Sequence, residues 1–397
     1  MTGRSERTSP SGMTTRLALL FAVAGGAAVG NLYWAQPILA VIAVDLGVTS
    51  ATAGLLITVT QLGYAVGIFL LVPLGDVVDR ARAIPLLMVL AAAMLAVGAA
   101  APSFPVLVVA LSLVGVTTVS GQFLAPLAGD LAADDRRGRV IGIVASGLLL
   151  GIMIARAVSG VLTDLVGWRV LYGAVAVLML ALAVVMRRAL PPLAPRATAP
   201  YPALLLAVVR TPFASRTARW LVVVGAVTMA SFTLFWTGLT FLLSSAPFGF
   251  SATQIGLVNL VGIGGAVAAQ RVGRLADRGL AVPAIAGGLA LACAALVLAA
   301  SAPARLAVVI VVIAVYSVGV QSAMVLVQTR MLAIDPSARS RLNTVLVVGN
   351  FLGGAAGSAL AGALWAGGGW SSVAWAGAAL LLLALAVWAV QRRRAFA

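Results

Sequence analysis

Apolar runs of about 20 residues recur along the chain, separated by short stretches that hold nearly all of its charge and much of its proline. A run of that length crosses the ~30 Å hydrocarbon core of a bilayer as a helix. Membrane barrel strands would instead alternate over ~10-residue segments, a pattern absent from this sequence. Reading the runs between charges and Pro/Gly breaks predicts twelve spans. Six lie at 17–43, 51–74, 84–101, 106–131, 139–163 and 168–186, and six at 220–245, 252–271, 282–301, 305–330, 342–366 and 370–390. Between the sets, residues 187–219 are rich in Pro and Arg, with one short amphipathic piece around 204–209 that would lie along the membrane surface. The expected fold is an all-α membrane protein, twelve transmembrane helices in two six-helix bundles. Its expected domains are a bundle at 1–186, a linker at 187–219 and a bundle at 220–397.

The two halves repeat. "YW" at 33–34 returns as "FW" at 235–236, and "GVTSATAG" at 47–54 as "GFSATQIG" at 249–256. "RGRV" at 137–140 returns as "RSRL" at 339–342, and "GW" at 167–168 as "GW" at 369–370. All four pairs share an offset of 202 residues. The charged loops "LGDVVDRAR" (74–82) and "VGRLADRG" (272–279) are offset by 198, so the eighth span is about one helical turn shorter than the second. Six spans bring the second copy back to the same side, which makes the repeats parallel. Such halves can open a site between them to either face in turn.

Composition sharpens this picture. The chain is 62% hydrophobic and 9% charged, with a mean hydropathy of +1.13; a soluble domain is typically ~25% charged. All 26 basic residues are Arg, and the net charge is +16. The charge sits between apolar runs rather than on one basic face, which argues against nucleic acid as a partner. Without Lys there is no phosphate-binding P-loop, so nothing supports an ATP-driven pump. Twenty-three of the arginines fall in the N-terminal tail, the 2–3, 4–5, 8–9 and 10–11 connections, the central linker and the C-terminal end. Positive residues stay inside, so the expectation is a multi-pass protein of the cell membrane with both termini cytoplasmic. The polar tail precedes a run too long for an ordinary signal peptide, which makes that run the first span. Cys293 is the single cysteine and there is no His, so neither an intrachain disulfide nor a metal or cofactor site is expected.

The charged loops resemble the Gly-x-Leu-Ala-Asp-Arg-x-Gly-Arg signature of major facilitator superfamily transporters, and the resemblance covers nearly the whole chain. The second copy carries Gly273, Leu275, Ala276, Asp277 and Arg278; the first carries Gly75, Asp79 and Arg80, with Arg82 where the second signature Gly would stand. "GLLLGIMIARAVSG" (147–160) resembles the glycine-rich fifth-span signature of the drug/proton antiporter branch, with Ala155-Arg156 in place of its Gly-Pro pair. "NLYWAQPIL" (31–39) is similar to bacterial efflux proteins of that branch. The resemblance implies export of drug-like or metabolite molecules by alternating access, in exchange for protons, by a monomer in the lipid bilayer that is not an enzyme. It also implies a conformational latch of Gly75, Asp79, Arg80, Arg82, Asp130, Gly273, Asp277 and Arg278, with Asp79 facing the start of the eleventh span near Asn343. The alternative is that these charges only set topology.

By the same resemblance, spans one, four, seven and ten line the cavity. They offer Asn31, Tyr33, Gln36, Gln122, Phe232, Phe235, Trp236, Tyr316 and Gln321, a neutral lining of amides and aromatics suited to amphiphilic or polar neutral solutes. Arg156 is the anomaly, a cation deep within a span and so obliged to face protein or water. Three roles stay open for it: an anion or substrate-carboxylate site, an electrostatic neighbour of a proton-carrying Asp, or a structural cation between helices. No Glu follows Glu6 and no Asp falls near a span centre, so Asp45 and Asp164 at one end, or Asp79 and Asp130 at the other, are the proton-coupling candidates. That shortage keeps uptake or uncoupled facilitated diffusion of a neutral metabolite as an alternative. The alternative from another class is an intramembrane enzyme or a non-transporting sensor; an enzyme would want paired carboxylates, His or a metal cluster, none of which is present, and the twofold repeat has no need of them.

Overall fold

In the computed structural model the structure describes residues 13–191, 199–265, 272, 278–302 and 305–394. Every regular element among them is helical: α1 (Thr15–Gly30), α2 (Leu39–Asp45), α3 (Ser50–Ala53), α4 (Leu55–Val77), α5 (Arg80–Ala99), α6 (Phe104–Thr117), α7 (Ser120–Leu131) and α8 (Arg137–Val166). There follow α9 (Trp168–Ala189), α10 (Tyr201–Ala214), α11 (Arg216–Ser244), α12 (Ala252–Asn259), α13 (Ala281–Ser301), α14 (Leu306–Ala333) and α15 (Arg339–Gln391). Nine helical stretches among the described residues are long and apolar enough to cross a membrane. This is an all-α, multi-span membrane fold.

Three differences separate those nine from the twelve predicted runs. The run at 17–43 is not one helix: α1 stops at Gly30, residues 31–35 turn, and a 3₁₀ segment at Gln36–Ile38 leads into α2. Pro37 keeps an α-helix from running on through this stretch, since it has no N–H to offer the carbonyl of residue 33 and its ring clashes there. The eighth run enters as α12 and passes outside the described residues after 265, where the expected one-turn shortening also lies. The last two runs form α15, bent at Gly369, whose φ of 61° only glycine adopts without strain.

The 202-residue repeat is written into the backbone. Gly167 (φ 86°) opens α9 as Gly369 opens the last span, and Gly47 (φ 65°) precedes α3 as Gly249 (φ 57°) precedes α12. Two large apolar clusters form, one spanning residues 18–190 and joined by Phe241 and Ala252, the other spanning 208–384. Within each, glycine permits backbone contact. A Cβ on Gly151 of α8 would collide with Gly26 of α1, and one on Gly353 or Gly357 of α15 with the Ala226 or Ala230 carbonyl of α11. Small residues are what membrane helices use to approach closely, since lipid offers no hydrophobic drive to associate. The amphipathic piece is α10, which buries only Val208 and ties to α4 through the Tyr201 hydroxyl, a donor to the Leu70 carbonyl at 2.7 Å.

Candidate functional site

The two clusters meet along α8 against α12 and along α3–α4 against α15, and the meeting is lopsided. Toward the arginine-poor end the contact is backbone to backbone. A Cβ on Gly160 would collide with the Ala252 carbonyl, and one on Gly362 would lie 2.7 Å from that of Ala51. Ser358 donates to the Gly54 carbonyl at 3.1 Å. Asp164, near the end of α8, accepts from the Thr253 N–H at 2.7 Å in the first turn of α12. A carboxylate there satisfies an orphan donor and meets the positive end of the helix dipole.

Toward the arginine-rich end α4 and α15, with α7, stand apart around a cavity of about 290 Å³. Ile68, Val72 and Asp76 of α4, Gln122 and Phe123 of α7, and Asn343 and Val347 of α15 lie on its wall. The first charged loop forms its rim. Asp79 is the N-cap of α5, accepting from the Ala81 N–H at 2.9 Å, and it pairs with Arg82 at 3.6 Å. Arg80 is buried and pairs with Asp130 of α7 at 3.3 Å. Gly75 is glycine because Phe123 of α7 lies where its Cβ would be. Asn343 faces this group across the cavity and accepts from Gln328 at 3.1 Å.

Between the sealed end and the cavity lies Arg156, roughly 28 Å along α8 from its first residue. Its side chain is 1% exposed. The guanidinium carbon stands 4.6 Å from the ring centre of Trp236, 4.9 Å from that of Tyr33 and 5.9 Å from that of Phe232. Tyr33 belongs to the first cluster and the other two rings to α11, so the cage closes across the seam. A central cation costs ~2.5–3.5 kcal/mol on the insertion scale, and each aromatic face returns about 0.5–2 kcal/mol. Nε and Nη2 nevertheless donate to nothing among the described residues.

The family model described as Major Facilitator Superfamily matches residues 19–333. The chain belongs to the major facilitator superfamily. It is 37% identical over 388 residues to the uncharacterised transporter YgaY of Escherichia coli O157:H7, covering 98% of this chain and 97% of that one. It is 32% identical over 329 residues to a chloramphenicol resistance protein of Streptomyces lividans, covering 81% of each. Among solved structures it resembles a bacterial homologue of the human lysosomal transporter Spinster in an inward-facing, occupied conformation. There the TM-score is 0.76 at 16% identity, over 96% of this chain and 97% of that one. The protein is thus a multi-pass membrane member of a transporter superfamily, which is not one of catalysts.

Within this superfamily fold the residues singled out from sequence separate into groups. Tyr33, Trp236 and Arg156 come together at the seam, and Gln122 stands on the cavity wall. Asn31 is spent on structure: it donates to Thr118 at 2.9 Å and accepts from Trp34 at 3.0 Å, joining the break after α1 to the break between α6 and α7. Phe235 and Tyr316 stack on each other at 4.2 Å in the second cluster, and the Tyr316 hydroxyl lies 3.1 Å from that of Ser231. Gln36 is buried with its carbonyl oxygen unpartnered, and Gln321 is half-buried on α14. Asp45 binds the Arg169 guanidinium and the Trp168 indole N–H, which hold its carboxyl below the usual range, Arg169 foremost. Gly273 and Asp277 lie outside the described residues, and Arg278 is exposed.

Sequence reasoning passed over Asp76, Gln61 and Tyr64. Tyr64 accepts from Gln122 at 2.8 Å and packs edge-on against Phe351 at 4.5 Å, bridging the cavity wall to α15. Gln61 donates to Thr233 of α11 at 3.4 Å across the seam. All three sit on the second span, outside the four taken as cavity-lining. The available signal was a polar stripe at 61, 64 and 76 on an otherwise apolar helix.

Proposed function

We propose that this chain is a secondary transporter of twelve spans in two six-helix bundles, divided at the 187–219 linker, which exports small organic molecules by alternating access in exchange for protons. The observation that carries the reading is the lopsided seam, tight at the arginine-poor end and parted around a cavity at the other. Reversing it would present the seam to the opposite side. With arginine-rich ends in the cytoplasm, the conformation described faces inward. The chloramphenicol resistance protein among the relatives supports an efflux direction.

The charged rim is the latch in this reading. When the cavity closes, the α4–α5 turn carrying Asp79 approaches the start of α15, where unpaired helix N–H groups favour a carboxylate. Protons then enter through rim or far-end carboxylates: Asp79, Asp130, Asp45 or Asp164. Every acid among the described residues sits near a helix end or in a loop, and that placement is what favours the second reading, uncoupled passage of a neutral metabolite. Reconstitution into proteoliposomes separates the two. Proton-coupled export predicts that flux of a transported probe, from a set that includes chloramphenicol and small organic acids, rises several-fold under an imposed pH gradient and collapses when the gradient is discharged. Flux indifferent to the gradient supports facilitation, and an absence of flux for any amphiphile tested sinks the transport reading itself.

A further inference from the structure

Arg156 is a buried cation with no anion paired to it among the described residues. Among the described acids, Asp45 is held by Arg169 and Trp168, Asp130 by Arg80, and Asp164 by the start of α12. Asp79 caps α5, Asp134 and Asp135 pair with Arg137 and Arg136, and Asp335 binds Ser337. Asp76 lies on the cavity wall toward the opposite end of the seam. The guanidinium is held on aromatic faces, which stabilise its charge but accept none of its in-plane hydrogen bonds. Two of its nitrogens stay unpaired, and buried donors are almost always paired. Other polar atoms near the seam are orphaned as well: the Gln36 carbonyl oxygen, the Trp236 indole N–H and the Ser317 hydroxyl. Gly262 packs against both the Trp236 ring and Ser317, which places those two together.

Gln122 on the cavity wall donates to Tyr64 of α4, and at the seam the guanidinium lies over the Tyr33 ring. We infer that Arg156 is the substrate-recognition residue and that the substrate is a small organic anion with one carboxylate. The Nε–Nη2 edge takes the carboxylate in the two-pronged geometry a guanidinium offers. Tyr33, Phe232 and Trp236 wall the organic part. Because the cage is built from both halves, an anion on the open edge of the guanidinium meets groups from both sides of the seam, coupling recognition to the state of the seal. A single positive charge among neutral groups selects a monoanion over a dianion. The inference rests on the transport reading for its purpose, though not for its chemistry.

The test uses purified full-length protein in detergent with matched probes: benzoate, phenylacetate and lactate, each beside its neutral amide. Thermal unfolding is followed against probe concentration at pH 7. At least one carboxylate is expected to raise the Tm in a saturable way while its amide does so at least tenfold more weakly. Arg156→Gln should abolish the preference, and Arg156→Lys, which keeps the charge but loses the fork, should keep it at reduced affinity. Equal response to acid and amide, no response to any carboxylate, or an unaltered preference in Arg156→Gln overturns the inference. Should Arg156→Gln fail to fold, the acid–amide comparison in the wild type and Arg156→Lys decides alone. Counterflow of the same probes in proteoliposomes distinguishes the two levels. Amide flux without carboxylate binding leaves a transporter and removes the anion site; Arg156-dependent binding without flux leaves the site and removes the transporter.

Discussion

At Gly151 a single missing methyl group determines how two helices meet. A Cβ there would strike the Gly26 backbone on α1, and backbone cannot swing aside as a side chain does. Gly151→Val is expected to destabilise the protein by about 1–3 kcal/mol through overpacking, read as a lowered Tm in detergent. Gly142 on the same helix has nothing within reach of an added Cβ, and Gly142→Ala should leave the Tm unchanged or raise it. Asp45 supplies a pH-dependent counterpart. Its carboxyl is held below the usual range by Arg169 and then Trp168, so it binds protons more weakly folded than unfolded. The stability it contributes is therefore complete above its unfolded value of about 4 and is lost as pH falls through its lower folded value. The Tm gap between wild type and Asp45→Asn should be constant from neutral pH down to about 5 and shrink below about 4.

Helices in this molecule are defined as much by how they stop as by how they run. The charged loop ends α4 and starts α5 in one step, because Asp79 takes an extended conformation and caps the new helix with its own carboxylate. Asparagine caps about as well as aspartate and alanine does not, a difference of ~0.5–2 kcal/mol. Asp79→Ala should therefore lower the Tm, and Asp79→Asn should preserve it while removing the charge. If Asp79→Asn inserts and melts like the wild type but transports several-fold more slowly, the carboxylate acts as the latch; unchanged transport assigns it to capping alone. The break in the fourth span follows from side chains competing for the backbone. Thr117 bonds back to the Leu113 carbonyl on its own helix, while Thr118 donates to the Ala28 carbonyl of α1. A hydrophobicity profile reads straight across such a break, since apolar content is the same on both sides of it.

On the scale of the whole molecule, two similar halves are pressed together at one end and parted at the other. If the halves rock, fastening the sealed end should stop them. Cysteines introduced as Asp164→Cys and Thr253→Cys, cross-linked by a short bifunctional thiol reagent, are expected to slow transport at least tenfold relative to the same double variant before cross-linking. An Asn343→Cys probe on the cavity wall should then stay reactive toward a membrane-impermeant maleimide applied from the arginine-rich side. Full transport after complete cross-linking would show that the seam does not open in turnover. The native Cys293 is buried in the second cluster, and Cys293→Ala removes it from the background.

Sequence by itself determined what depends on composition and period. Residues that water rejects over about 20 positions form the long apolar helices, and an offset of 202 residues foretells equivalent turns, as at Gly167 and Gly369. It also marked Arg156 as out of place, because a charge in an apolar run is conspicuous without any fold. What answered that charge was decided only in three dimensions. Tyr33 and Trp236 are separated by 203 positions in the chain, and no local pattern relates a ring on one helix to a guanidinium on another. The lopsided seam is of the same kind. It depends on which glycines face which carbonyls where the two apolar clusters meet, and a linear chain does not carry that information in any single stretch.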